Sequence, residues 1–278
     1  MSDRYGVIGH PVAHSKSPFI HARFAAQTGE DLVYRAIHAA PGEFADVVTR
    51  FQKEGGRGLN VTLPFKQEAF RLCAENSARA QRAAAVNSLC FDGGVICGDN
   101  TDGEGLLRDL TDNLGVELKG RRVLLLGAGG AARGVLGPLL DAGVAELIIA
   151  NRTPARAHAL RDAFADAGNL RVAGFNALEG GGFDLVINAT SASVGGDLPP
   201  VPSSALAPGA CVYDMMYAAE PTPFVKWGRA AGAARAVDGL GMLVAQAAES
   251  FWLWRGVRPD TGPVLAALRQ HLGAAAAP

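Results

Sequence analysis

The sequence predicts an α/β protein built from two domains. Short apolar segments of strand length alternate with amphipathic stretches of helix length along most of the chain, a pattern typical of βαβ units and parallel sheets. Val123–Arg133 reads VLLLGAGGAAR, an apolar strand followed by the spacing G-x-G-x-x-A, which favours a Rossmann-like second domain. A chain of 278 residues is also long enough to bury two cores.

In the first part of the chain, predicted strands and helices alternate. The strands are Tyr5–Gly9, Leu32–His38 and Arg57–Thr62, and the helices are Pro18–Gln27, Gly42–Lys53 and Phe65–Ala74. Two consecutive βαβ units imply a mostly parallel sheet. A hairpin is predicted next, with strands Ser88–Phe91 and Val95–Gly98 joined by an Asp-Gly-Gly turn. A helix over Asp102–Asn113 then leads into the second domain.

The second part of the chain carries further apolar strands and ends in helices. The predicted strands are Val123–Leu126, Glu146–Ala150, Phe183–Asn188, Cys211–Tyr213 and Arg235–Val237. Two helices, Leu240–Arg255 and Pro263–Leu272, have no strands of their own to follow, so we expect them to fold back on the first domain. The predicted division is residues 1–103 for the first domain, 104–238 for the second and 239–278 for the returning helices.

Composition excludes several classes of function. A formal net charge of -1 offers no electrostatic surface for nucleic acid or an acidic membrane, and no apolar run has the length of a membrane span. The four cysteines form no C-x-x-C pair, and no His or Cys spacing indicates a metal. Without a secretory signal, we expect a cytoplasmic protein. The sequence leaves monomer and homodimer open.

The glycine-rich segment predicts a phosphate-binding turn. Gly127, Gly129 and Ala132 fit G-x-G-x-x-A, in which the glycines let the backbone turn tightly and approach a pyrophosphate at a helix N-terminus. NAD-binding chains usually place a carboxylate about 20 residues further on, for the ribose 2′-hydroxyl. Here the second strand ends in Asn151-Arg152-Thr153, and a guanidinium suits a 2′-phosphate. The sequence therefore predicts NADP.

Polar residues also follow the strands of the first domain. Ser15 and Ser17 precede a helix, where they could bind a polyol or carboxylate or simply cap the helix. Asn60 and Thr62 alternate with apolar residues and so share one face of their strand. Lys66 falls in the first turn of a helix, where the helix dipole disfavours a cation. A solvated surface lysine is the alternative interpretation.

A second group of polar residues surrounds the hairpin. Asp102 lies at a predicted helix start, where a capping role is the simple interpretation. With Lys66 it could instead form an ammonium–carboxylate pair beside a reacting hydroxyl or carbonyl. Asn87 stands between apolar residues and is either a turn residue or a further polar group at the same place.

These segments occur in one order along the chain. They are HSKSP (14–18), NVTLPFK (60–66), AVN (85–87), NTDG (100–103), GAGGA (127–131), NRT (151–153), NATS (188–191), DMMY (214–217) and DGLGMLVAQ (238–246). Together they resemble the shikimate dehydrogenase family over nearly the whole chain. One departure is Ser88, where the family often has Thr.

The resemblance implies an activity and a role for each matching residue. The activity is the reversible, NADP-linked reduction of the 3-ketone of 3-dehydroshikimate to shikimate, a step toward aromatic amino acids. Lys66 and Asp102 would be the catalytic pair, and Ser15 and Ser17 would hold the substrate carboxylate. Other substrate contacts would come from Asn60, Thr62, Asn87, Tyr217 and Gln246. The pyrophosphate would lie on Gly127, Ala128, Gly129, Gly130 and Ala131, the 2′-phosphate on Asn151, Arg152 and Thr153, and the nicotinamide beside Thr190, Met215, Gly239 and Met242.

Two other functions are compatible with the same motifs. One is a broader enzyme that also oxidises quinate, with NAD as a further cofactor, although Arg152 argues against NAD. The other is a non-catalytic NADP-binding regulator, which would be expected to lack Lys66 or Asp102, and both are present.

Overall fold

The structure is a computed structural model that describes residues 2–164, 168–190, 192 and 196–276. Ser191, the last residue of the NATS segment, lies outside the described residues. The chain divides into two units, one of Met1–Gly105 with Val244–Leu268 and the other of Leu106–Leu243 with Arg269–Pro278. Each unit contains a six-stranded sheet, and the predicted α/β class is confirmed.

The first unit begins with alternating strands and helices. Its elements are β1 (Asp3–Gly9), α1 (Ser17–Thr28), β2 (Leu32–His38), α2 (Phe44–Lys53), β3 (Gly56–Val61), α3 (Lys66–Leu72), β4 (Glu75–Asn76), α4 (Ala78–Ala83), β5 (Ser88–Asp92), β6 (Val95–Asp99) and the start of α5 (Asp102–Arg108). The short β4 and α4 were not predicted, because two strand residues and one alanine-rich helical turn carry too little apolar periodicity.

The sheet of the first unit is mixed, and its topology brings the polar segments to one edge. The strand order is β2-β1-β3-β5-β6-β4. Strand β1 runs parallel to β2 and β3, whereas β5 is antiparallel to both β3 and β6. Two antiparallel steps restore the original direction, so β1, β3 and β6 all end at the same edge. The segments after Gly9, Val61 and Asp99 therefore start there, and the segment before Ser88 ends there.

The first unit also contains a part of the C-terminal region, whereas Arg269–Pro278 belongs to the second unit. Val244–Leu268 covers most of α9 (Leu240–Arg255) and the first half of α10 (Thr261–Ala276). The indole of Trp254 donates to the carbonyl of Leu89 at 3.0 Å, and Arg255 pairs with Asp3 and Glu30. The helix is thus attached to strands β1 and β5 of the same unit.

The second unit has the βαβ order of a Rossmann-like domain. Its elements are the end of α5, β7 (Arg122–Leu126), α6 (Gly130–Asp141), β8 (Glu146–Ala150), α7 (Pro154–Asp162), β9 (Leu170–Ala173), β10 (Phe183–Asn188), β11 (Leu206–Asp214), α8 (Pro223–Ala230), β12 (Arg235–Asp238), the first turn of α9 and the end of α10. The sheet is parallel throughout, in the order β12-β11-β10-β7-β8-β9.

The continuous apolar run of β7 follows from burial on both faces of this sheet. Val123 and Leu125 belong to one core cluster, and Leu124 and Leu126 belong to another. All four side chains are fully buried. A parallel strand covered on both faces has no polar alternation, which is why the sequence shows four apolar residues in a row.

The helix predicted over Asp102–Asn113 is interrupted. Helix α5 ends at Arg108, and Asp109–Asn113 forms a π-helical turn. The amide of Leu114 donates to the carbonyl of Asp109 at 3.0 Å, five residues back. The prediction of one regular helix was wrong here, and π-turns of this kind are frequent near functional sites.

Candidate active site

The first unit holds a buried ion pair between Lys66 and Asp102. The Lys66 ammonium Nζ lies 2.5 Å from Asp102 Oδ2, and the two side chains are 15% and 7% exposed. Lys66 is the first residue of α3, which follows β3, and Asp102 is the first residue of α5, which follows β6. A short, charge-assisted hydrogen bond of this kind is strong when little water reaches it. The alternative of a solvated surface lysine is therefore wrong.

Asn87 fixes the orientation of the Asp102 carboxylate. Its side-chain amide donates to Asp102 Oδ1 at 2.9 Å, while the backbone amide of Thr101 donates to Asn87 Oδ1 at 2.8 Å. Both carboxylate oxygens of Asp102 are therefore engaged, one by Lys66 and one by Asn87. Asn87 lies in the bend before β5 and is only 2% exposed, so it serves as a bend residue and as a polar partner of the pair.

Gln246 on α9 reaches the same group. Its side-chain oxygen accepts from Asn87 Nδ2 at 3.3 Å, and its backbone carbonyl accepts from the Thr101 hydroxyl at 3.1 Å. Gln246 of α9 thus adds a side-chain amide, from a distant part of the sequence, to the group formed by Lys66, Asp102 and Asn87.

Asn60 lies next to Asn87, and both polar atoms of its side chain make hydrogen bonds. Its Oδ1 accepts from the Tyr34 hydroxyl at 2.8 Å, and its Nδ2 donates to the hydroxyls of Ser88 and Ser250 at 3.0 and 2.9 Å. The Asn60 side chain is 6% exposed. The side-chain amide of Asn60 is thus already bonded to protein groups, and it orients Tyr34, Ser88 and Ser250 next to the site.

Thr62 and the two serines lie at the same sheet edge. Thr62 follows the end of β3, and its methyl packs on Gly9, where an added Cβ would meet it at 2.4 Å. The Ser15 hydroxyl contacts the Ser17 hydroxyl at 3.2 Å, and Ser17 also bonds with Tyr34. Lys16 stands at the cap position of α1 without a side-chain cap bond. Helix capping by Ser17, one of the two interpretations, is therefore wrong.

The buried polar partners of this cluster were not predicted. Tyr34, Thr101 and Ser250 are all buried and all bond to the predicted residues. Thr101 lies inside the NTDG segment, which could have indicated it. Tyr34 and Ser250 sit in a regular strand and a regular helix, where nothing in the sequence distinguishes them from core residues.

His21 is a buried residue of the first unit. It lies on α1, is 1% exposed, and stacks on Tyr34 with ring centroids 4.1 Å apart. Burial lowers the pKa of His21 to about 3. The buried imidazole is therefore neutral and packs as an aromatic core group.

The glycine-rich loop of the second unit has room for an anion. Gly127 has φ of +107°, a conformation that side chains disfavour. Gly129 is the N-cap residue of α6, with nothing within 4 Å of where a Cβ would stand and no side-chain cap bond. The Nε of Arg133, in the first turns of α6, is buried and has no hydrogen-bond partner among the described residues, and burial lowers the pKa of Arg133. The amides of a helix N-terminus and a buried guanidinium nitrogen fit a pyrophosphate.

Asn151-Arg152-Thr153 follows β8 as predicted. The Asn151 side chain donates to the carbonyl of Thr153 at 2.8 Å, which shapes the turn before α7. Arg152 is exposed, and no carboxylate among the described residues pairs with it. An exposed, unpaired guanidinium beside the strand end is what a 2′-phosphate needs.

The other predicted cofactor residues are tied together by Asn188 and Asp214, two buried residues at strand ends. The Thr190 hydroxyl donates to Asn188 Oδ1 at 2.6 Å, and the Met215 amide donates to the Asn188 carbonyl at 2.9 Å. Gly239 packs so tightly on Met215 that an added Cβ would lie 2.4 Å from its carbonyl oxygen. Met242 is buried in the first turn of α9. Tyr217, predicted for the substrate, also lies in this unit, half-buried after β11.

Comparisons with known proteins decide the family. Three family models match the chain: "Shikimate dehydrogenase substrate binding domain" over residues 7–89, "Shikimate / quinate 5-dehydrogenase" over 109–194 and "Shikimate 5'-dehydrogenase C-terminal domain" over 239–269. A protein of Alkalilimnicola ehrlichii named shikimate dehydrogenase (NADP(+)) is 57% identical over 97% of this chain and 99% of its own. The chain belongs to the shikimate dehydrogenase family.

Solved structures of the family have the same fold. The crystal structure of an enzyme from Pseudomonas putida is 52% identical, with a TM-score of 0.90 over 96% of this chain and 98% of that one. The shikimate 5-dehydrogenase of Thermus thermophilus, in complex with NADP(H) and shikimate, is 35% identical, with a TM-score of 0.87 over 97% of this chain and 100% of that one. The predicted family and fold are confirmed.

Two features are absent from the residues that the structure describes. No helix there is both long and apolar enough to cross a membrane. No three His, Cys, Asp or Glu side chains within that part of the chain lie together as metal ligands would.

Proposed function

We propose that this protein is an NADP-dependent shikimate dehydrogenase, which reversibly reduces the 3-ketone of 3-dehydroshikimate to shikimate in the cytoplasm, on the route to aromatic amino acids. The buried Lys66–Asp102 pair carries the proposal, since it provides an oriented proton donor beside polar groups that suit a small polyol. Relatives with 55–57% identity over nearly the whole chain are named shikimate dehydrogenase (NADP(+)).

In the proposed mechanism, Lys66 handles the proton. NADPH supplies the hydride when bound. As negative charge grows on the ketone oxygen, the Lys66 ammonium stabilises it and donates a proton to it. Asp102 accepts from Lys66 at 2.5 Å and keeps the ammonium in place. In the reverse direction Lys66 takes the proton back from the shikimate hydroxyl.

The remaining polar residues of the first unit are proposed to select the substrate. Ser15 and Ser17 hold the carboxylate with two neighbouring hydroxyls, which lie 3.2 Å apart. Thr62, Asn87 and Gln246 are proposed to bond the ring hydroxyls, and Tyr217 is proposed as a further substrate contact. Asn60 is proposed to act through the groups it bonds, because its amide is already occupied.

In the second unit, the loop residues 127–131 are proposed to hold the pyrophosphate. The buried Nε of Arg133 is proposed to donate a hydrogen bond to it. Asn151, Arg152 and Thr153 are proposed to bind the 2′-phosphate. Thr190, Met215, Gly239 and Met242 are proposed to lie at the nicotinamide, held in place by Asn188 and the tight Gly239–Met215 contact.

The test is an initial-rate assay of the purified protein, following reduced cofactor by absorbance. Shikimate and quinate are crossed with NADP and NAD. Turnover restricted to shikimate with NADP supports the proposal. Comparable rates with quinate or NAD would make this the broader enzyme, and binding of NADP without turnover of either substrate would make it a non-catalytic regulator.

A further inference from the structure

The second unit contains a buried carboxylate for which the proposed mechanism has no use. Asp109 is the first residue of the π-turn after α5, and it is 4% exposed. The Tyr213 hydroxyl donates to Asp109 Oδ2 at 2.6 Å, and the Asn113 side chain donates to Oδ1 at 2.8 Å. Tyr213 itself is fully buried on β11. Two side chains, one on β11 and one on the π-turn, thus donate hydrogen bonds to this buried carboxylate.

This carboxylate is in contact with the first turn of α9. The backbone amide of Met242 bonds with Asp109. At Gly241 an added Cβ would lie 1.9 Å from Asp109 Oδ1, so only glycine admits the carboxylate at this distance. The backbone of residues 241–242 is therefore held by Asp109 on one side.

The same segment is held at its other end by an ion pair. Arg269 of α10 donates to both oxygens of Asp238 at 2.6 and 2.7 Å, and Asp238 in turn accepts from the amide of Leu240 at 3.3 Å. The Gly239 amide donates to the carbonyl of Met216 at 3.0 Å. Segment 238–242 is thus fixed at each end, and it contains Gly239 and Met242, two residues proposed above to lie at the nicotinamide.

We propose that Asp109, held by Tyr213, is a positioning residue that sets the backbone of Gly239–Met242 for binding the nicotinamide half of NADP. The inference rests on the proposed function. The π-turn has a physical role in it, because the extra residue in the turn presents Asp109 to α9 while Leu114 closes the wider ring.

Burial raises the pKa of Asp109 above its ordinary value, and the bonds from Tyr213, Asn113 and Met242 offset part of that rise. The charged and titratable groups that act on it are Tyr213, Asp238, Arg269 and Cys211. Three donors around one carboxylate define its orientation.

The decisive variant is Asp109→Asn, which keeps the size of the side chain but turns one acceptor into a donor. The new NH2 group takes the place of the acceptor for either the Asn113 side chain or the Tyr213 hydroxyl, so at least one bond that orients the group is lost and segment 239–242 is held less firmly. We expect the dissociation constant of NADPH, measured by fluorescence titration of the folded protein, to rise about tenfold, as small misplacements of binding groups do. The KM for shikimate should stay within about twofold, because its proposed contacts lie mainly in the first unit. Asp112→Asn is the matched control, since Asp112 is exposed on the same turn and should leave NADPH binding unchanged.

A double-mutant cycle separates positioning from general stability. Gly241→Ala must displace the carboxylate, whereas Asp109→Ala removes it. We expect each single variant to weaken NADPH binding and the double variant to be no weaker than Asp109→Ala, because the two changes act through one contact. Tyr213→Phe should give a smaller loss in the same direction.

The outcomes distinguish the inference from the proposed function. If wild-type protein binds NADPH and Asp109→Asn binds it equally well while melting at a lower temperature, Asp109 is only structural and the inference is overturned. Additive losses in the cycle would also overturn it. Failure of the wild type to bind NADPH would instead overturn the proposed function.

Discussion

At the residue scale, Lys66 owes its role to its surroundings more than to its position in the sequence. The first turn of a helix disfavours a cation, yet the Asp102 carboxylate at 2.5 Å compensates for the helix dipole. The sequence motif indicated the residue, but only the fold shows the pair to be shielded from water on most sides.

Replacing Lys66 by Ala should lower kcat about 10²- to 10⁴-fold, the usual loss when a proton donor is removed. The measurement is steady-state turnover with shikimate and NADP, with folding checked by circular dichroism. Lys53→Ala removes an exposed lysine of α2 and should leave kcat unchanged. If the folded Lys66→Ala variant had the kcat of the wild type, Lys66 would not be the proton donor.

Replacing Arg152 by Ala should weaken the binding of NADP and leave the binding of NAD unchanged. A charge-assisted contact to a phosphate contributes about 1.5–3 kcal/mol, so the KM for NADP should rise by about 10- to 100-fold. Arg161→Ala is the control, because Arg161 is exposed on α7 and pairs with Asp162. Equal effects on NADP and NAD would show that Arg152 does not contact the 2′-phosphate.

At the element scale, one of the contacts that attach α9 within the first unit is a close approach of the helix to strand β3. An added Cβ at Gly58 of β3 would lie 2.5 Å from the indole nitrogen of Trp254 and 2.7 Å from the carbonyl of Leu89. This is the place where Trp254 donates to Leu89. The fit of helix to sheet therefore requires glycine.

Gly58→Ala should destabilise the protein by about 1–3 kcal/mol, as overpacking of a tight core does. The readout is the denaturant midpoint for the first unit, followed by tryptophan fluorescence. Gly273→Ala provides the contrast, because that site in α10 has nothing within 4 Å and alanine favours a helix. An unchanged midpoint for Gly58→Ala would contradict the prediction, since it would show that Trp254 can move away from the added methyl group at little cost in stability.

Among the elements, the regular ones followed directly from the sequence. Strand Glu146–Ala150 and helix Leu240–Arg255 have the predicted bounds, because each is a mostly apolar segment whose length suits a buried strand or a buried helix. Helix α8 was missed even though Thr222 caps it and Pro223 begins it, a standard start pattern. Strand β9 is four residues long, too short for its periodicity to be read.

At the scale of the whole molecule, acid stability should depend on His21. Its pKa is about 3 in the folded protein and near 6.5 when unfolded. Between these values the unfolded chain binds a proton that the folded chain does not, so stability falls as the pH drops through this window. The slope from this group is about 1.4 kcal/mol per pH unit.

Chemical unfolding at several pH values between 6.5 and 4 tests this. The variant His21→Leu should show a shallower loss of stability than wild type over that range, whatever its stability at neutral pH. His14→Gln serves as the control, because His14 is exposed. Identical slopes for wild type and His21→Leu would contradict a neutral, buried His21.

The sequence by itself determined the α/β class, the family, and the residues that carry its motifs, because buried parallel strands and phosphate-binding turns restrict local sequence strongly. It did not determine what these residues contact. The buried partners Tyr34, Ser250 and Tyr213 lie in regular elements and Asp109 lies in the π-turn. Their contacts join residues as distant as Asn60 and Ser250. Only the tertiary structure decides such contacts, because a hydrogen bond between distant segments depends on strand order and helix docking and leaves no periodic trace in the chain.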